Sequence, residues 1–424
     1  LLHRRTQLLD TVELNQGWEA VGYSEGKDYA TLTVQAGTPC VTGNQTSAGQ
    51  QRVVTARYVV GADGANSFVR RATGMGWTDL GFRADWLVID YKPNDPTKEL
   101  DMPEAGQICD PARPITLMRH MGRKHVRWEV MLLPGETAAD LTQPAMVWSL
   151  IDRWVKPSDG EITRAAVYTF QSGVAASWVK GRSILVGDAA HLMPPFLGQG
   201  LCSGLRDARS AFWRLDLILG GLAEPDLLES YQKERNEHVT CVIARAVALG
   251  KVLCITDPQE AAKRDAAILG GTAPAIPPFP GLANGLLHRS VSGAVAEPVG
   301  QLSLQAQIKL DGQVGRLDDL TGSSWVVLAL GSADEFTLDD SQKAFAKQLG
   351  MRIVRLDDED TDFHGKYHAY MNALGVEALI VRPDFYVFGA SHTVQDVPGM
   401  LDELKRQLPL TGQPNKTKAT ANSN

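Results

Sequence analysis

The segment from Arg182 to Leu215 constrains the fold of this chain more than any other part of it. It opens with Ile184-Leu185-Val186, an apolar run typical of a buried strand, which stops at Gly187-Asp188. A loop rich in proline and glycine follows, and a helical pattern then runs to Gly220-Gly221. The apolar residues of that helix share one face: Leu205, Ala208, Phe212, Leu215 and Leu219. The sequence therefore predicts a strand, a loop and a helix in direct succession.

The junction between this strand and this helix has the chemistry of a ligand site. An acidic residue at the carboxyl end of a strand, exposed backbone N–H groups and a helix N-terminus suit a ligand with hydroxyls and negative charge. Asp188 holds the position at which open α/β sheets bind ligands, whereas a plain turn or helix-capping aspartate is the alternative. The other candidate cofactor-binding residues of the segment are Gly187, Pro194, Pro195, Gly198, Gln199, Gly200 and Leu201.

Three stretches of the chain resemble one enzyme family. In the segment from Arg182 to Leu215, the order GD-AAH-PP-GQG-G-RDA closely resembles the second flavin-binding motif of the single-component aromatic hydroxylases, the class A flavoprotein monooxygenases. The stretch from Tyr58 to Ser67, which continues to Arg70 and Arg71, resembles their first mid-chain motif. The ending VRPDFYVFG, residues 381–389, is similar to the closing strands of the phenol and 3-(3-hydroxyphenyl)propionate hydroxylase branch. The resemblance to that branch extends over most of the chain.

The resemblance implies the cofactors and the reaction. It implies FAD and NAD(P)H, with a ribityl hydroxyl of FAD bonded to Asp188 and with Asp63 and Gly64 close to FAD and NAD(P)H. An Asp-Gly pair alone is a common turn. The N–H groups and helix dipole around Gly198 and Gly200 then stabilise negative charge on the pyrimidine side of the reduced flavin. The implied reaction hydroxylates a phenolic aromatic substrate beside its hydroxyl, with dioxygen, through a flavin hydroperoxide.

Arg127 is the candidate for a direct catalytic contact, while the base that removes the phenol proton is not identified by the sequence. Arg127 lies in HVRWEVMLLPGE, where the family presents an arginine to the flavin; an exposed strand arginine is the equal alternative. His191 is expected to be structural, with a ring nitrogen bonded to loop backbone. His120 and His125 are weaker candidates for the base. The nine histidines form no HxH or HExxH spacing, so no metal is expected.

We expect an α/β fold with an incomplete Rossmann-like FAD-binding domain, an inserted antiparallel substrate sheet and a C-terminal thioredoxin-like domain. The expected boundaries are 1–90 and 171–255 for the FAD-binding domain, 91–170 for the substrate sheet, 256–300 for an irregular linker, 301–412 for the thioredoxin-like domain and 413–424 for a disordered tail. The C-terminal domain has no CxxC, which predicts a structural or a dimerisation module. Since no GxGxxG turn occurs and the chain opens on LLHRRTQLLDTVEL, we expect an N-terminally truncated FAD-binding domain.

Hydrophobic patterns also predict individual elements. The expected strands are 18–21, 29–34, 53–60, 86–90, 115–118, 126–133, 165–170, 325–330, 351–356, 378–381 and 385–388. The expected helices are 146–155, 227–253, 341–349 and 399–408. A turn signal at residues 26–28 separates the first two strands, and residues 37–51 have the composition of a long hairpin loop.

Composition sets the outer limits of the function. The net charge is −7 and no block of lysine or arginine occurs, which argues against nucleic acid or a membrane surface as a partner. No apolar run approaches the roughly 20 residues that a bilayer requires. The five cysteines are scattered along the chain, which is typical of a reducing compartment and predicts a cytoplasmic location. The expected partners are a small aromatic substrate, dioxygen and, where the C-terminal domain dimerises, a second copy of the chain.

Two alternatives to a phenol hydroxylase remain open at this point. The first is a flavin-dependent tailoring oxygenase that acts on a polyketide-like substrate with the same scaffold. The second is a truncated, non-catalytic paralogue that binds no FAD and serves at most as a dimerisation partner.

Overall fold

The computed structural model describes residues 2–37, 49–119, 125–275, 277–290, 293–331, 336–356 and 361–412. Most of the expected loop at 37–51, His120 and the expected tail at 413–424 lie outside these residues.

The first part of the chain forms a small antiparallel sheet and one strand of a second sheet. Its elements are α1 (Leu2–Thr6), β1 (Trp18–Glu25), β2 (Ala30–Ala36), β3 (Gln51–Ala56), β4 (Val59–Gly61) and α2 (Phe68–Ala72). Strands β1, β2 and β3 pair in that order. The single strand expected over 53–60 is wrong, because the chain changes sheets at Arg57. There the Arg57 carbonyl accepts a hydrogen bond from the Arg182 guanidinium (3.1 Å), and β4 then joins the second sheet.

The middle of the chain builds the large sheet. Its elements are β5 (Trp77–Pro93), β6 (Ala105–Ile108), β7 (Ile115–Met118), β8 (Val126–Met131), α3 (Ala138–Leu141), α4 (Pro144–Ile151), β9 (Gly160–Ala175), β10 (Val179–Lys180), β11 (Ser183–Leu185) and β12 (His191–Leu192). Six of these strands pair in the order β12-β9-β5-β8-β7-β6, every pair antiparallel. The expected antiparallel sheet is confirmed; β5 and β9 are longer than expected, and β6 was not predicted.

The two faces of the large sheet have different partners. One face carries Leu87 and Trp128 and packs against Val147 and Ile151 of α4. The opposite face, which we call the loop face, carries Trp86, Glu129 and Phe170. On the loop face, the Trp86 ring lies 5.8 Å from Phe170 and 5.7 Å from Phe196, which belongs to the loop after β12. The loop face therefore meets the proline- and glycine-rich segment directly.

The predicted strand, loop and helix are confirmed, but the buried side of the helix differs from the apolar side of its sequence. The helices that follow are α5 (Gly200–Leu219), α6 (Leu227–Leu253) and α7 (Pro258–Leu269). Leu205 and Phe212, on the apolar face of α5, are 55% and 53% exposed, whereas Asp207 and Arg214 are fully buried. An apolar helix face ordinarily packs on the core. Here α5 turns its charged face to α6, because Arg214 bonds Glu234 across the helix pair (2.7 Å).

Helix α7 lies inside the stretch expected to be irregular over 256–300, and the expectation is wrong there. Asp257 caps the helix by accepting from the backbone N–H groups of Gln259 and Glu260 (both 2.9 Å), and Pro258 holds the first helical position. Proline at that position costs no hydrogen bond, since the first N–H groups of a helix have no partner within it. The sequence analysis predicted an irregular stretch because it gave more weight to the prolines farther along than to this capping signal.

The C-terminal part folds around a four-stranded sheet. Its elements are β13 (Gln307–Leu310), β14 (Gln313–Arg316), α8 (Leu317–Thr321), β15 (Val326–Ala329), α9 (Asp340–Gln348), β16 (Arg352–Arg355), α10 (Lys366–Leu374), β17 (Ala378–Val381), β18 (Val387–Ser391) and α11 (Val397–Gln407). The order is β16-β15-β17-β18, with β15 and β16 parallel and the other pairs antiparallel. The strand expected over 385–388 starts later, because Phe385 closes a turn with φ of +69°, which a strand does not allow.

No single helix of the described ranges is both long enough and apolar enough to cross a membrane. Helices α6 and α7, which are bent by 113° relative to each other, reach that length and apolar character only when they are taken together. Across the same ranges, no three His, Cys, Asp or Glu side chains are grouped so that they could hold a metal ion.

Candidate flavin site

Two sequence motifs that lie far apart in the chain meet at one edge of a sheet. Strands β4 and β11 pair in parallel, with Val60 opposite Ile184 and Gly61 opposite Leu185. The carboxyl ends of parallel strands lie at the same edge. The turn that begins at Gly61 and the turn that begins at Gly187 are therefore neighbours, joined by a hydrogen bond from the Val186 N–H to the Gly61 carbonyl (3.0 Å).

Arg70 ties the two turns together. Its guanidinium donates to the Ala189 carbonyl and to the Ala65 carbonyl, both at 2.7 Å. Arg70 is held in place by α2, whose first turn is capped by Ser67 (2.9 Å to the Arg70 N–H). Asp63 is engaged in the same turn, where one carboxylate oxygen accepts from the Val69 N–H (3.0 Å). This arrangement holds the Asp-Gly turn rigidly against the second motif.

Glycines allow the backbone geometry of both turns. Gly64 and Gly187 have φ of +76° and +58°, in the left-handed region where glycine is strongly favoured. Gly204 on α5 packs against the second turn so closely that a Cβ there would lie 3.2 Å from the Gly187 Cα. The close approach of the helix to the strand end therefore favours glycine at Gly204, whereas Gly187 is favoured by its backbone conformation.

The loop and the start of α5 present unpaired donors at this edge. Gly198, with φ of +62°, ends a short 3-10 turn over Pro195–Leu197, and α5 begins two residues later. The first helical bond runs from the Ser203 N–H to the Gln199 carbonyl (2.8 Å), so the preceding N–H groups have no partner within the helix. Leu201 is 76% exposed. This edge therefore offers backbone donors and a partial positive charge to a ligand.

Asp188 is exposed at the same edge. No residue within the described ranges forms a hydrogen bond or an ion pair with its carboxylate, although it follows a fully buried strand. Both oxygens are free to accept hydrogen bonds from a ligand's hydroxyls. The expectation of a carboxylate facing a ligand fits this geometry better than a capping role, because Asp188 caps nothing there.

His191 is structural, but its bond differs from the one expected. The Nε2 atom lies 2.6 Å from the Asp207 carboxylate, rather than against loop backbone, and both side chains are buried. Asp207 also accepts from the Gly187 N–H (3.1 Å) and from Arg235 Nε (2.9 Å). Burial by itself raises the pKa of Asp207, but His191 and Arg235 outweigh it and lower that pKa overall. Asp207 thus holds the Gly187 turn in place through buried contacts.

Arg127 lies on the loop face but is already paired. Its guanidinium donates to both oxygens of Asp90 (2.7 and 3.2 Å), and Arg164 joins the same carboxylate at 2.8 Å. Burial raises the pKa of Asp90, and the two arginines outweigh it and lower that pKa. The flavin contact of Arg127 stays a prediction. His125 lies just before β8 and is half-buried.

Glu129 is a buried acid of this region that the sequence analysis missed. It is 6% exposed on the loop face, and no residue in the described part of the chain donates a hydrogen bond to it. Burial raises its pKa, against an opposing effect of Arg127. The signal was present in the sequence: an acid inside RWEVM, where alternate positions are apolar, marks a charge on one face of a half-buried strand.

Two family models match the chain. The model of an FAD-binding domain, FAD_binding_3, matches residues 16–246, which include both motif turns and the large sheet. The model described as the HcaD C-terminal domain matches residues 300–407.

Several curated proteins are similar over most of the chain. A probable NADH-specific resorcinol 4-hydroxylase from Rhodococcus jostii is 33% identical over 406 residues, which are 93% of this chain and 73% of that protein. A 3-(3-hydroxy-phenyl)propionate/3-hydroxycinnamic acid hydroxylase from Burkholderia cenocepacia is 32% identical over 356 residues. That match covers 81% of this chain and 62% of the relative, so the chain spans less than two thirds of the Burkholderia protein.

Solved structures share the fold. The flavin-dependent monooxygenase PieE, solved with FAD and substrate, superposes with a TM-score of 0.71 at 20% identity, over 92% of this chain and 76% of that one. The anhydrotetracycline hydroxylase OxyS from Streptomyces rimosus gives a TM-score of 0.68 at 20% identity, over 96% and 77%. The FAD-binding model covers more than half of the chain, and the Rhodococcus relative is covered over more than two thirds of its length. The chain therefore belongs to the FAD-binding domain family, as a relative of flavin-dependent aromatic hydroxylases, with FAD as its cofactor.

Proposed function

We propose that this protein is an FAD- and NAD(P)H-dependent monooxygenase that hydroxylates a single-ring phenol. The observation that supports it most is the meeting of two flavin-type motif turns at one sheet edge, beside an aromatic loop face. The names of the relatives, a resorcinol hydroxylase and a hydroxyphenylpropionate hydroxylase, favour a phenol as substrate and NADH as reductant.

The residues at the edge suit the parts of FAD. Asp188, exposed and without a partner in the described part of the chain, would accept hydrogen bonds from the ribityl hydroxyls. The N–H groups at Gly200 and Leu201 would meet the electron-rich pyrimidine side of the ring. Asp63 and Gly64 would line the cofactor from the first turn. When bound, FAD takes a hydride from NAD(P)H and, with dioxygen, supplies an electrophilic oxygen atom.

The loop face suits the substrate. Trp86 is fully buried and stacks with Phe170, and Phe196 meets both rings edge-on. Binding sites for small aromatic molecules are mostly apolar, with a few polar groups that orient the ligand. The rings also exclude water from the place where the substrate carbon reacts. Arg127 and its partner Asp90 would set the polar border of this face.

We further propose that the C-terminal part is a thioredoxin-like domain with a structural or dimerising role. The order β16-β15-β17-β18, with one parallel pair and two antiparallel pairs, supports that fold. All five cysteines of the chain precede residue 301, so this domain has no dithiol for redox chemistry. The scattered cysteines also favour a cytoplasmic location.

Replacing Asp188 with alanine should weaken the retention of FAD. The change removes a charge-assisted hydrogen bond worth about 1.5–3 kcal/mol, so the dissociation constant of FAD should rise roughly 10- to 150-fold. Because Asp188 is exposed, the free energy of unfolding of the apoprotein should change by no more than about 0.5 kcal/mol. Titration of the apoprotein with FAD by flavin fluorescence measures the effect. Asp188→Asn keeps one acceptor oxygen, so its FAD dissociation constant should lie between those of the unchanged protein and Asp188→Ala. An unchanged dissociation constant for Asp188→Ala would show that Asp188 does not contact FAD.

The substrate is tested with a panel of ring compounds. Resorcinol and 3-(3-hydroxyphenyl)propionate should speed NADH oxidation by the FAD-loaded protein, with a hydroxylated product formed for each NADH consumed and little peroxide. Their methyl ethers should not be hydroxylated. Hydroxylation of polycyclic compounds without hydroxylation of any phenol would instead identify a tailoring oxygenase. Absence of turnover with every compound, at full FAD loading, would identify a non-catalytic protein.

A further inference from the structure

Glu129 lies at the centre of the loop face. In the sheet, Glu129 of β8 is opposite Val88 of β5 and opposite Thr116 of β7. Met131, two residues farther along β8, is opposite Trp86. Glu129 is therefore the diagonal neighbour of Trp86, a relation that places two side chains within roughly 7–8 Å of each other on one face. Trp86 in turn contacts Phe196 of the loop after β12.

The other acids of this sheet have partners, and Glu129 differs from them. Asp90 is paired with Arg127 and Arg164. Asp85 accepts from the Thr169 hydroxyl at 2.5 Å. For Glu129, the structure gives no hydrogen bond from any residue of the described ranges, although the side chain is 6% exposed. The polar side chains next to Glu129 form hydrogen bonds with other residues.

The two neighbours that could donate to Glu129, Arg127 and Thr116, bond other residues instead. The Arg127 guanidinium is fixed on Asp90 through two of its nitrogens. The Thr116 hydroxyl, directly opposite Glu129, donates to Gln107 on β6 (2.9 Å). Glu129 is 6% exposed, and its carboxylate has no donor among the described residues, so a donor from solvent or from a ligand is left to satisfy it. The Trp86 Nε1–H, on the same face, also lacks an acceptor among the described residues.

We propose that Glu129 is the catalytic base for the phenol: its carboxylate accepts the hydrogen bond of the substrate's ring hydroxyl and takes the hydroxyl proton. This inference rests on the proposed phenol hydroxylation. In the step, the O–H bond breaks, the proton moves to a Glu129 oxygen, and the electron pair stays on the phenolate oxygen. The electron-rich ring carbon beside it then forms a C–O bond to the electrophilic oxygen atom that the reduced cofactor and dioxygen would supply. The O–O bond breaks, and its electron pair leaves with the second oxygen atom, which takes up protons and becomes water. The ring carbon loses its hydrogen as a proton, which restores the aromatic ring and its original hydroxyl. After product release, Glu129 returns the proton to water.

The environment of Glu129 suits this role. Burial is the largest influence on its pKa and raises it, which brings the carboxylate closer to a phenol in basicity. The nearby charge of Arg127 opposes this rise in the pKa, and the charge of Asp90 adds to it. A phenol hydroxyl both donates and accepts hydrogen bonds, so it can satisfy Glu129 and a neighbouring N–H together.

The test compares Glu129→Gln with the unchanged FAD-loaded protein, with resorcinol as substrate. Gln keeps an acceptor oxygen but takes no proton at neutral pH. We expect the resorcinol dissociation constant, measured by calorimetry, to change less than about 5-fold, and kcat to fall about 10²- to 10⁴-fold, the usual contribution of a general base. With a fluorinated resorcinol, whose hydroxyl is more acidic, the fall in kcat caused by Glu129→Gln should be at least about 10-fold smaller than with resorcinol. A structural role does not produce that dependence on substrate acidity.

Two further variants complete the test. Glu161→Gln changes an exposed acid on β9 of the same sheet and should leave kcat unchanged. Glu129→Asp keeps a proton acceptor, so it should retain more kcat than Glu129→Gln, and it serves as the comparison if the Gln variant fails to load FAD. Equal kcat for Glu129→Gln and the unchanged protein, or equal losses with both resorcinols, overturns the role of Glu129. If the unchanged protein hydroxylates no phenol, the proposed function fails instead.

Discussion

Replacing Arg382 with methionine is expected to lower the free energy of unfolding by about 3–5 kcal/mol, because it leaves the two buried acids Glu234 and Asp384 with Arg214 as their one shared counter-ion in the described part of the chain. Arg382 follows β17 and is completely buried. It donates to both oxygens of Glu234 on α6 (3.1 and 2.7 Å) and to both oxygens of Asp384 (2.9 and 2.7 Å). These ion pairs therefore join the C-terminal part of the chain to helix α6. Denaturant unfolding, followed by tryptophan fluorescence, measures the loss.

Two variants separate this ion network from general damage. Arg406→Met removes an exposed arginine from α11 and should change the free energy of unfolding by no more than about 0.5 kcal/mol. In Arg382→Met/Glu234→Gln, Arg214 and Asp384 remain as a neutral pair, 3.8 Å apart. The double variant should therefore be at least about 1 kcal/mol more stable than the sum of the two single losses predicts. Strict additivity would show that the charges do not act together.

The same network predicts a pH dependence. Burial raises the pKa of Asp384, but Arg382 outweighs it, and the pKa falls from 3.8 to about 2 in the folded protein. A carboxyl whose folded pKa is depressed stabilises the fold above its unfolded pKa and loses that contribution as the pH falls through the folded value. The stability of the unchanged protein should thus decline as the pH falls from 3.8 towards 2. Arg382→Met should decline less over that window.

Replacing Asp207 with asparagine is the second large change, with an expected loss of about 3–5 kcal/mol in the free energy of unfolding. Asp207 is fully buried and joins the Gly187 turn, His191 and Arg235. Arg235 bonds Asp207 through Nε, and its two terminal nitrogens have no acceptor among the described residues, so the change leaves a buried positive charge without its counter-ion. Because the Gly187 turn loses its anchor, FAD should also bind more weakly.

An acid on the same helix provides the control for Asp207. Asp216 is exposed on α5, and Asp216→Asn should leave both stability and the FAD dissociation constant close to those of the unchanged protein. Thermal unfolding of the apoprotein and FAD titration measure the two quantities separately. A fully stable Asp207→Asn variant with normal FAD binding would mean that the turn is held by other contacts.

Elements with strong local signals were predictable from the sequence. Helix α6 runs over Leu227–Leu253, as its apolar period predicts, and β7 and β17 also have their expected bounds. The sequence predicts a strand before each of the two motif turns, but not that the turns meet. Their position at one sheet edge follows from the parallel pairing of β4 with β11, which the structure provides.

Features that depend on long-range charge pairs were not predictable in this way. Periodicity marks the apolar side of α5 as the buried one, yet Asp207 and Arg214 are buried and Phe212 is exposed. Those charges are stabilised by partners on α6 and beyond β17, which are distant in sequence. The bond between His191 and Asp207 was missed for the same reason, since a pattern of single residues does not reveal which side chains meet.

The monooxygenase assignment is tested most directly by following the oxygen atom into the product. The FAD-loaded protein, resorcinol and NADH are incubated under isotopically labelled dioxygen, and the product is analysed by mass spectrometry. We predict a product that carries one labelled oxygen atom, in an amount matching the NADH consumed, because one atom of dioxygen enters the ring and the other becomes water. NADH consumption that yields only labelled peroxide, or a product whose added oxygen comes from water, would contradict the assignment.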